Sequence, residues 1–483
     1  MSDWPAGRNR ENLLREIDAK IVASPDDLEL RFGRACLLED LGFADDAKHE
    51  YLAIVARDPT HFGALNNLGN VLLSQGLRSA ARLTYAHAAA QHPDNPMGIV
   101  NLANVVRDDG DAAAAKVLYE RALQLDPQHA QAHQGMAYVC DELGDEPAAA
   151  LHRERGFRGQ AISALRYRGV APPIAVLLVV CSRGGNIFID RLLDNRVFLN
   201  LRLFPEFYDA RLPLPPHALV FNAIGDAERC EEALHTATRL LKATDAPIIN
   251  APQAVLATGR IANAARLGAL PGVAAPKIIS VSRGALSESA TGELLAKVGL
   301  EWPILLRSPG FHMGRHFALV NAPGDLEAAV TQLPGEHLAV MEYLDARGAD
   351  GCWRKYRVMI VDGKLYPLHL AVSRSWNVHY FSSDMAENAA YRDEEAAFLS
   401  DMPGTLGAPA VEALHAIAKI LQLDYGGIDF ALSTNGRILL FEANANMIAA
   451  EPEADPRWTY RNNAVADVHD AVRRMLLQRA RPL

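Results

Sequence analysis

Two carboxylates and an amide fall on what reads as one β-hairpin late in the chain. The run Gly426-Gly427-Ile428-Asp429-Phe430 is followed, ten residues later, by Phe441-Glu442-Ala443-Asn444-Ala445-Asn446-Met447. Between them lies Asn435-Gly436, a pair that favours a two-residue turn with positive φ at both positions. With the turn centred there, Thr434 opposes Arg437 and Asp429 opposes Glu442. Asn444 lies two residues further along the same face. Like charges directly opposite destabilise a hairpin. A hard cation such as Mg²⁺, which takes oxygen ligands and often shares them with phosphates, would reverse that sign. Asp429, Glu442 and Asn444 are therefore candidate metal ligands. The bland alternative is a surface hairpin with two acids, but Ile428, Phe430, Leu440 and Phe441 argue against full exposure.

Other pieces upstream suit phosphate chemistry. Trp302 to Arg307 reads as a buried strand with Arg307 at its end, followed by a loop that carries Gly310 and Gly314 around Phe311 and His312. Glycines there let backbone N–H groups close over phosphates. Val340 to Leu344 is a further apolar strand. Asp362-Gly363 separates the runs Tyr356–Val361 and Lys364–Leu370, a second hairpin signal. Ile174 to Cys181 reads as a buried parallel strand. Ser182-Arg183-Gly184-Gly185-Asn186 follows and predicts a helix after it, whose N-terminus is a weak anion site. Ala218–Ile224 and Pro247–Asn250 read as strands around a helix at 228–242, so a small α/β domain ends near Pro252. His369 and His379 are candidate bases, although a lone histidine is more often structural.

In this order, the pieces resemble the ATP-grasp superfamily over residues 173–478. The resemblance implies that Asp429, Glu442 and Asn444 bind Mg²⁺. It implies that Glu342, Tyr343 and Leu344 form the interdomain strand whose backbone reads adenine, and that residues 310–314, bounded by Gly310 and Gly314, cover the β- and γ-phosphates. Arg260 and Arg307 stand where the family usually has lysines that contact ATP. Arginine keeps the charge but adds a planar fork of donors, so the two are not equivalent. Arg357 and Arg374 are the expected catalytic contacts to phosphate or substrate carboxylate, and Asp345 is a candidate for the ribose. The implied chemistry is ATP- and Mg²⁺-dependent activation of a small-molecule or peptide carboxylate as an acylphosphate, which an amine or related nucleophile attacks. The competing expectations are a nucleotide-binding scaffold without turnover and an ATP-grasp phosphotransferase.

The first third repeats. Pro25, Pro59, Pro93 and Pro127 are 34 residues apart, as are Gly42, Gly76, Gly110 and Gly144, Tyr51, Tyr85 and Tyr119, and Ala47, Ala81, Ala115 and Ala149. This is the period of the tetratricopeptide repeat (TPR), a helix–turn–helix unit. The block Leu65, Leu68-Gly69, Leu72, Gly76, Ala81, Tyr85, Ala88, Pro93 resembles that family closely. Residues 11–25 read as the second helix of a leading half-repeat. The fourth unit loses its pattern after Ala149, where Arg153 replaces the tyrosine, which suits a more polar cap. Such arrays bind a protein or peptide partner along a concave groove; the other readings are a rigid spacer and a homodimerisation arm. Asn66, Asn67, Asn70, Asn101 and Asn104 either bond to an extended peptide there or are simply solvated. The arginines of residues 153–169 read as a solvated face.

The expected fold class is therefore multidomain: an all-α TPR solenoid over residues 1–160, then an α/β and α+β ATP-grasp fold with an α/β subdomain at 173–255 and nucleotide-binding subdomains at 256–480. A net charge of −10 and a pI near 5.9 argue against general nucleic-acid binding. Five scattered cysteines without a CxxC pair predict reduced thiols and a cytoplasmic protein. Residues 1–10 have no apolar h-region, and no apolar run is long enough to span a membrane, so no secretory signal and no membrane partner are expected.

Overall fold

The structure is a computed structural model and describes residues 7–189, 191–286, 288–310, 316–378, 383–453 and 455–481. Its chain divides into two compact units, one of residues 1–178, 182–184 and 193–217, the other of residues 179–181, 185–192 and 218–483.

The first unit opens with a helical repeat region: α1 (Gly7–Ala23), α2 (Leu28–Leu41), α3 (Ala44–Arg57), α4 (Phe62–Ser74), α5 (Arg78–Gln91), α6 (Pro96–Asp108), α7 (Ala112–Leu125), α8 (Ala130–Glu142) and α9 (Glu146–Phe157). The 34-residue period builds it. A glycine at positive φ follows the first helix of each pair, where other residues would be strained. Side chains of Asp27, Asn95, Asp111 and Asp145 cap helix starts. Tyr51, Tyr85 and Tyr119 are wholly buried between helices. Arg153, which takes the equivalent place in the fourth repeat, is also buried and pairs with Asp141 at 2.6 Å. It is not part of a solvated face. An internal acid on the preceding helix lets a charge stand where three tyrosines stand elsewhere.

Phe157, the last residue of α9, packs on Phe204 and Phe207, with ring centroids 4.6 and 5.4 Å apart. The strands β1 (Ile162–Ala164), β2 (Ile174–Val179) and β3 (Phe198–Leu203) follow, with β1 antiparallel to β3. No helix follows the glycine turn at residues 182–186 among the described residues. Asn186 instead bonds back to the Cys181 N–H and C=O at 2.7 and 2.9 Å, closing the turn on the strand that precedes it. A side chain that satisfies the backbone locally competes with helix initiation, so this turn offers no helix N-terminus to an anion.

The second unit contains mixed sheets covered by helices. In chain order it has β4 (Leu219–Asn222), α10 (Glu231–Leu240), β5 (Ile248–Ile249), α11 (Pro252–Leu256), α12 (Arg260–Gly268), β6 (Val273–Ala274), β7 (Ile278–Ser282), α13 (Glu288–Val298), β8 (Ile304–Arg307), β9 (Phe317–Val320), α14 (Leu326–Gln332), β10 (His337–Glu342), β11 (Trp353–Val361), β12 (Lys364–Ser373), α15 (Ala389–Ser400), α16 (Met402–Leu406), α17 (Ala408–Leu421), β13 (Tyr425–Leu432), β14 (Ile438–Asn444) and α18 (Asn462–Arg479). β4 and β5 are parallel. One antiparallel sheet runs β7-β10-β8-β9, and its buried face holds Val281, Leu306 and Val340 with Leu295 and Leu326. A second runs β12-β11-β13-β14-β6. Pro367 is tolerated in β12 because that strand lies at the sheet edge. Asp362 and Gly363 take φ of 50° and 73° between β11 and β12, as an Asp-Gly turn requires. No helix among the described residues is long and apolar enough to cross a membrane. The five cysteines are free thiols.

Candidate functional site

The hairpin β13–β14 does bring Asp429 opposite Glu442, but by another route than the turn predicts. Leu432 pairs with Ile438 and Phe430 with Leu440, so the loop is one residue longer at its tip. Ser433 and Arg437 close it, and only Gly436 has positive φ there, at 76°. A three-residue loop of this kind ends in a residue in the left-handed region, a role glycine fills without strain. A bulge then places Phe441 out of register, and Asp429 returns to face Glu442.

That pair belongs to a row across four strands. His369 on β12 faces Arg357 on β11, Arg357 faces Asp429 on β13, and Asp429 faces Glu442 on β14. Opposed residues of an antiparallel pair project from the same face. The register shifts between Arg357 and Val358, and again between Asp429 and Phe430. Both irregularities therefore adjoin the row. Bulges of this kind concentrate beside functional sites, where they re-aim side chains.

The charges in the row are already balanced. Arg357 donates to both oxygens of Asp429, at 2.6 and 2.8 Å, and Lys355 Nζ lies 3.5 Å away. Burial pushes the Asp429 carboxyl up, but Arg357 and then Lys355 outweigh it and hold it well below the usual carboxylate range. Glu442 Oε1 accepts from Arg260 at 2.7 Å and from the Asn444 amide at 2.9 Å. Asn444 Oδ1 accepts from the Asn446 N–H at 2.9 Å. Burial, and next the Arg357 charge, push His369 far below the usual histidine range, so it is neutral. The facing acids thus have protein cations beside them, and the repulsion that suggested a metal is relieved within the chain. Among the described residues no three His, Cys, Asp or Glu side chains gather as a metal cluster.

Glu442 and Asn444 open onto a narrow cleft of about 50 Å³. Arg260, at the start of α12, and Arg307, at the end of β8, line it with Gly310, Asp226 and Glu228. Glu228 accepts from the Arg260 N–H at 2.9 Å. Burial, and then the charge of Arg260, lower the pKa of Arg307. Two arginines that disfavour each other in a cleft form a site an anion would relieve. The cleft floor is fixed by Asn263, which donates to the Ala443 carbonyl at 2.7 Å, and by the close pass of the chain after β14.

The candidates divide accordingly. Arg260, Arg307, Gly310, Glu442 and Asn444 share the cleft, with Arg357 and Asp429 in the row beside it. Arg374 is not brought there. It is exposed just beyond β12, five residues past His369, about 17 Å of extended chain. Glu342 ends β10 and accepts from the Lys277 N–H at 3.0 Å; Tyr343 and Leu344 follow the strand. The Tyr343 hydroxyl accepts from Trp353 Nε1 at 2.9 Å, and Leu344 packs in a small apolar cluster with Ala431 and Leu439. Asp345 is tied to Arg347. Gly314, Phe311, His312 and His379 lie outside the described residues. Sequence reasoning missed Lys355, Asp226, Glu228 and Asn263. Lys355 had a usable signal, since it alternates with Arg357 on one strand face.

The groove amides also find partners within the chain. Tyr85 and Tyr119 donate to Asn70 and Asn104, each at 2.6 Å. Asn101 donates to Asn66 at 2.5 Å, Asn66 to Asn67 at 3.2 Å, and Asn67 to the Tyr51 hydroxyl at 3.2 Å. These bonds tie neighbouring helices of the repeats together.

Residues 32–96 match the family described as a tetratricopeptide repeat. No curated protein matches the chain. Similar solved structures include MamA 41-end from Desulfovibrio magneticus RS-1, 22% identical, covering 31% of this chain and 84% of that one with a TM-score of 0.28. Another is a crystal structure of MamA, 20% identical, covering 31% and 86%, with a TM-score of 0.29. Pseudomonas aeruginosa pilF is 20% identical, covering 31% and 68%, also at 0.29.

Proposed function

We propose that the second unit is an ATP- and Mg²⁺-dependent ligase that activates a carboxylate as an acylphosphate for attack by an amine or related nucleophile, and that the repeats recruit a protein or peptide partner. The observation that carries this reading is the row His369–Arg357–Asp429–Glu442, flanked by two bulges, beside a cleft that holds Arg260 and Arg307. The ATP-grasp resemblance of the same hairpin supports it.

Asp429, Glu442 and Asn444 supply the oxygen donors that Mg²⁺ takes, so the residue types fit. When bound, Mg²⁺ and ATP would supply the phosphoryl group and the cation that neutralises its charge. The chain's own residues do the rest. Arg357 and Lys355 keep Asp429 ionised. Arg307 and Arg260 would offer guanidinium forks to phosphate oxygens. Glu442 Oε1 accepts from Arg260 and Asn444, so a cation held by Glu442 there would take their place and leave Arg260 free to meet an anion.

Asp429→Ala and Glu442→Ala each remove one donor of this set. Release of ADP and phosphate from Mg²⁺–ATP, with ligands that co-purify with the protein as substrates, should fall at least ~100-fold. Unchanged turnover rejects the assignment. A second reading is a nucleotide-binding scaffold without turnover, favoured by the full pairing of Asp429 with Arg357; ATP binding without ADP release would select it. A phosphorylated product in place of a ligated one would select a phosphotransferase. No ATP binding by the folded protein would sink all three.

A further inference from the structure

Three arginines, two from the stretch after β1 and one just before β3, converge on the C-terminal end of α2. Arg168 donates to Glu39 Oε1 at 2.8 Å, and Arg166 pairs with Asp40. Arg196 covers Gly42, the residue that caps α2: a Cβ at Gly42 would lie 1.9 Å from its Nη2. The carbonyl end of a helix favours cations, and two acids placed on it make the preference strong. Glu39 and Asp40 are well covered, 16% and 13% exposed in their side chains. Asp40 Oδ1 is buried with no hydrogen-bond partner among the described residues. Glu39 Oε2 accepts from the Tyr51 hydroxyl at 3.2 Å. That hydroxyl ends the Asn101–Asn66–Asn67 chain, so the acid site is joined to the amides of the repeats. The repeat fold does not itself require two acids here, because the equivalent positions of the next two repeats are Leu73-Ser74 and Arg107-Asp108.

We propose that Glu39 and Asp40 form a guanidinium-docking site of the repeats, and that Arg166 and Arg168 occupy it as an internal ligand. The partner that the repeats take at this end is then a basic peptide with two arginines separated by a single residue. This deepens the reading that the repeats recruit a peptide, and rests on it. The internal ligand is exchangeable for three reasons. Residues 165–173 belong to no strand or helix. The Arg166 side chain is 51% exposed, and ion pairs of that kind hold weakly. The chain's net charge of −10 draws basic peptides toward it. The backbone of the segment is fixed, with the Leu165 and Arg168 N–H groups donating to Asn200 and Asn195 at 2.8 Å and Tyr167 buried, so the exchange is of the arginine side chains alone, and a ligand on the same chain acts at an effective concentration on the order of millimolar. An external peptide must compete with that.

The test uses full-length protein and a fluorescein-labelled peptide of residues 162–172, followed by fluorescence anisotropy. Arg166→Ala with Arg168→Ala vacates the site, and the peptide should then bind about tenfold more tightly than to the wild-type chain. Raised salt should weaken that binding. Adding Glu39→Gln and Asp40→Asn to the vacated protein should abolish it. Where that variant does not keep its helical signal in far-UV circular dichroism, Asp40→Asn alone, which retains the Glu39–Tyr51 contact, should still weaken binding severalfold. Binding no tighter to the vacated protein than to wild type overturns the site. Binding that survives loss of the acids also overturns it, while leaving peptide recruitment elsewhere on the repeats standing. Co-purification of partners with the wild-type chain tests recruitment separately.

Discussion

Replacing Arg357 by methionine tests whether Asp429 is held ionised by the protein's own cations. Methionine keeps an unbranched apolar stem but removes the charge and every donor, so the change is chiefly electrostatic. Arg357 meets both oxygens of Asp429, at 2.6 and 2.8 Å, and Asp429 is only 3% exposed. Removing one partner of a buried pair strands the other charge, at about 3–5 kcal/mol. Lys355 stays 3.5 Å away and places the expected loss at the lower end, about 3 kcal/mol. For a unit of this size that is about 6–12 °C in Tm. The pH dependence has a definite sign. In the wild type the Asp429 pKa is depressed on folding. Its stabilisation is present above the unfolded value, about 3.9, and is lost only as pH falls through the lower folded value. In the variant, burial outweighs what cationic charge remains, the carboxyl rises, and protonation relieves the cost. The deficit should therefore shrink between pH 7.5 and pH 5. Urea melts of Arg357→Met, Asp429→Asn and the double variant supply the cycle. The double should be less destabilised than the two singles summed, by about 2 kcal/mol. Additive effects, or a deficit equal at both pH values, would refute the pairing argument.

Two further outcomes follow from packing and titration. A Cβ at Gly427 would lie 2.8 Å from Met447 Cγ and 3.1 Å from Met359 Sδ. Both neighbours are flexible, so Gly427→Ala should cost about 1–2 kcal/mol in a urea melt; a neutral result would mean that the chain after β14 does not pass against β13. In the last repeat, His133 and His152 share a hydrogen bond of 2.8 Å between their Nδ1 atoms, which needs one donor and one acceptor. Burial lowers both pKa values, and the neighbouring His133 adds to it at His152, which falls to about 4. Bases depressed on folding stabilise above their unfolded value, about 6.5, and lose that contribution as pH falls through the folded one. The melting temperature of the helical signal should therefore drop from pH 6.5 to pH 4, and His152→Asn should flatten the slope; parallel slopes reject the pair.

The helical repeats were legible because their determinants are local. A glycine at positive φ, a capping acid and a proline recur every 34 residues, and each acts within a turn or two of its own position. What the period hid was orientation. Asn70 and Asn104 share a register, but their partners Tyr85 and Tyr119 sit fifteen residues on, and only helix pairing brings them together. Arg153 read as solvated because its partner Asp141 lies on the neighbouring helix. The glycine turn after β2 misled in the opposite way. Gly184 and Gly185 do reverse the chain, but Asn186 spends its amide on Cys181 rather than on starting a helix.

The hairpin shows how a right pairing can rest on a wrong premise. Centring a two-residue turn on Asn435-Gly436 places Asp429 opposite Glu442. The observed loop is one residue longer, which alone would slip the register by one and send Glu442 to the other face. The bulge at Phe441 restores it. Both offsets are short-range, yet nothing local couples them; the bulge makes sense only with the row completed by Arg357 and His369 on strands that join the sheet from more than fifty residues away. The charge argument behaves likewise. Facing acids do demand a cation, and local sequence nominated a metal because it could not see β11 lying against β13. The protein supplies Arg357, Lys355 and Arg260 instead. A metal at Glu442 Oε1 would then replace a guanidinium rather than join a bare acid pair, and that exchange is where an arginine at position 260 differs in consequence from a lysine. A planar fork released from Glu442 can engage two phosphate oxygens at once, whereas an ammonium would meet them only as a point charge.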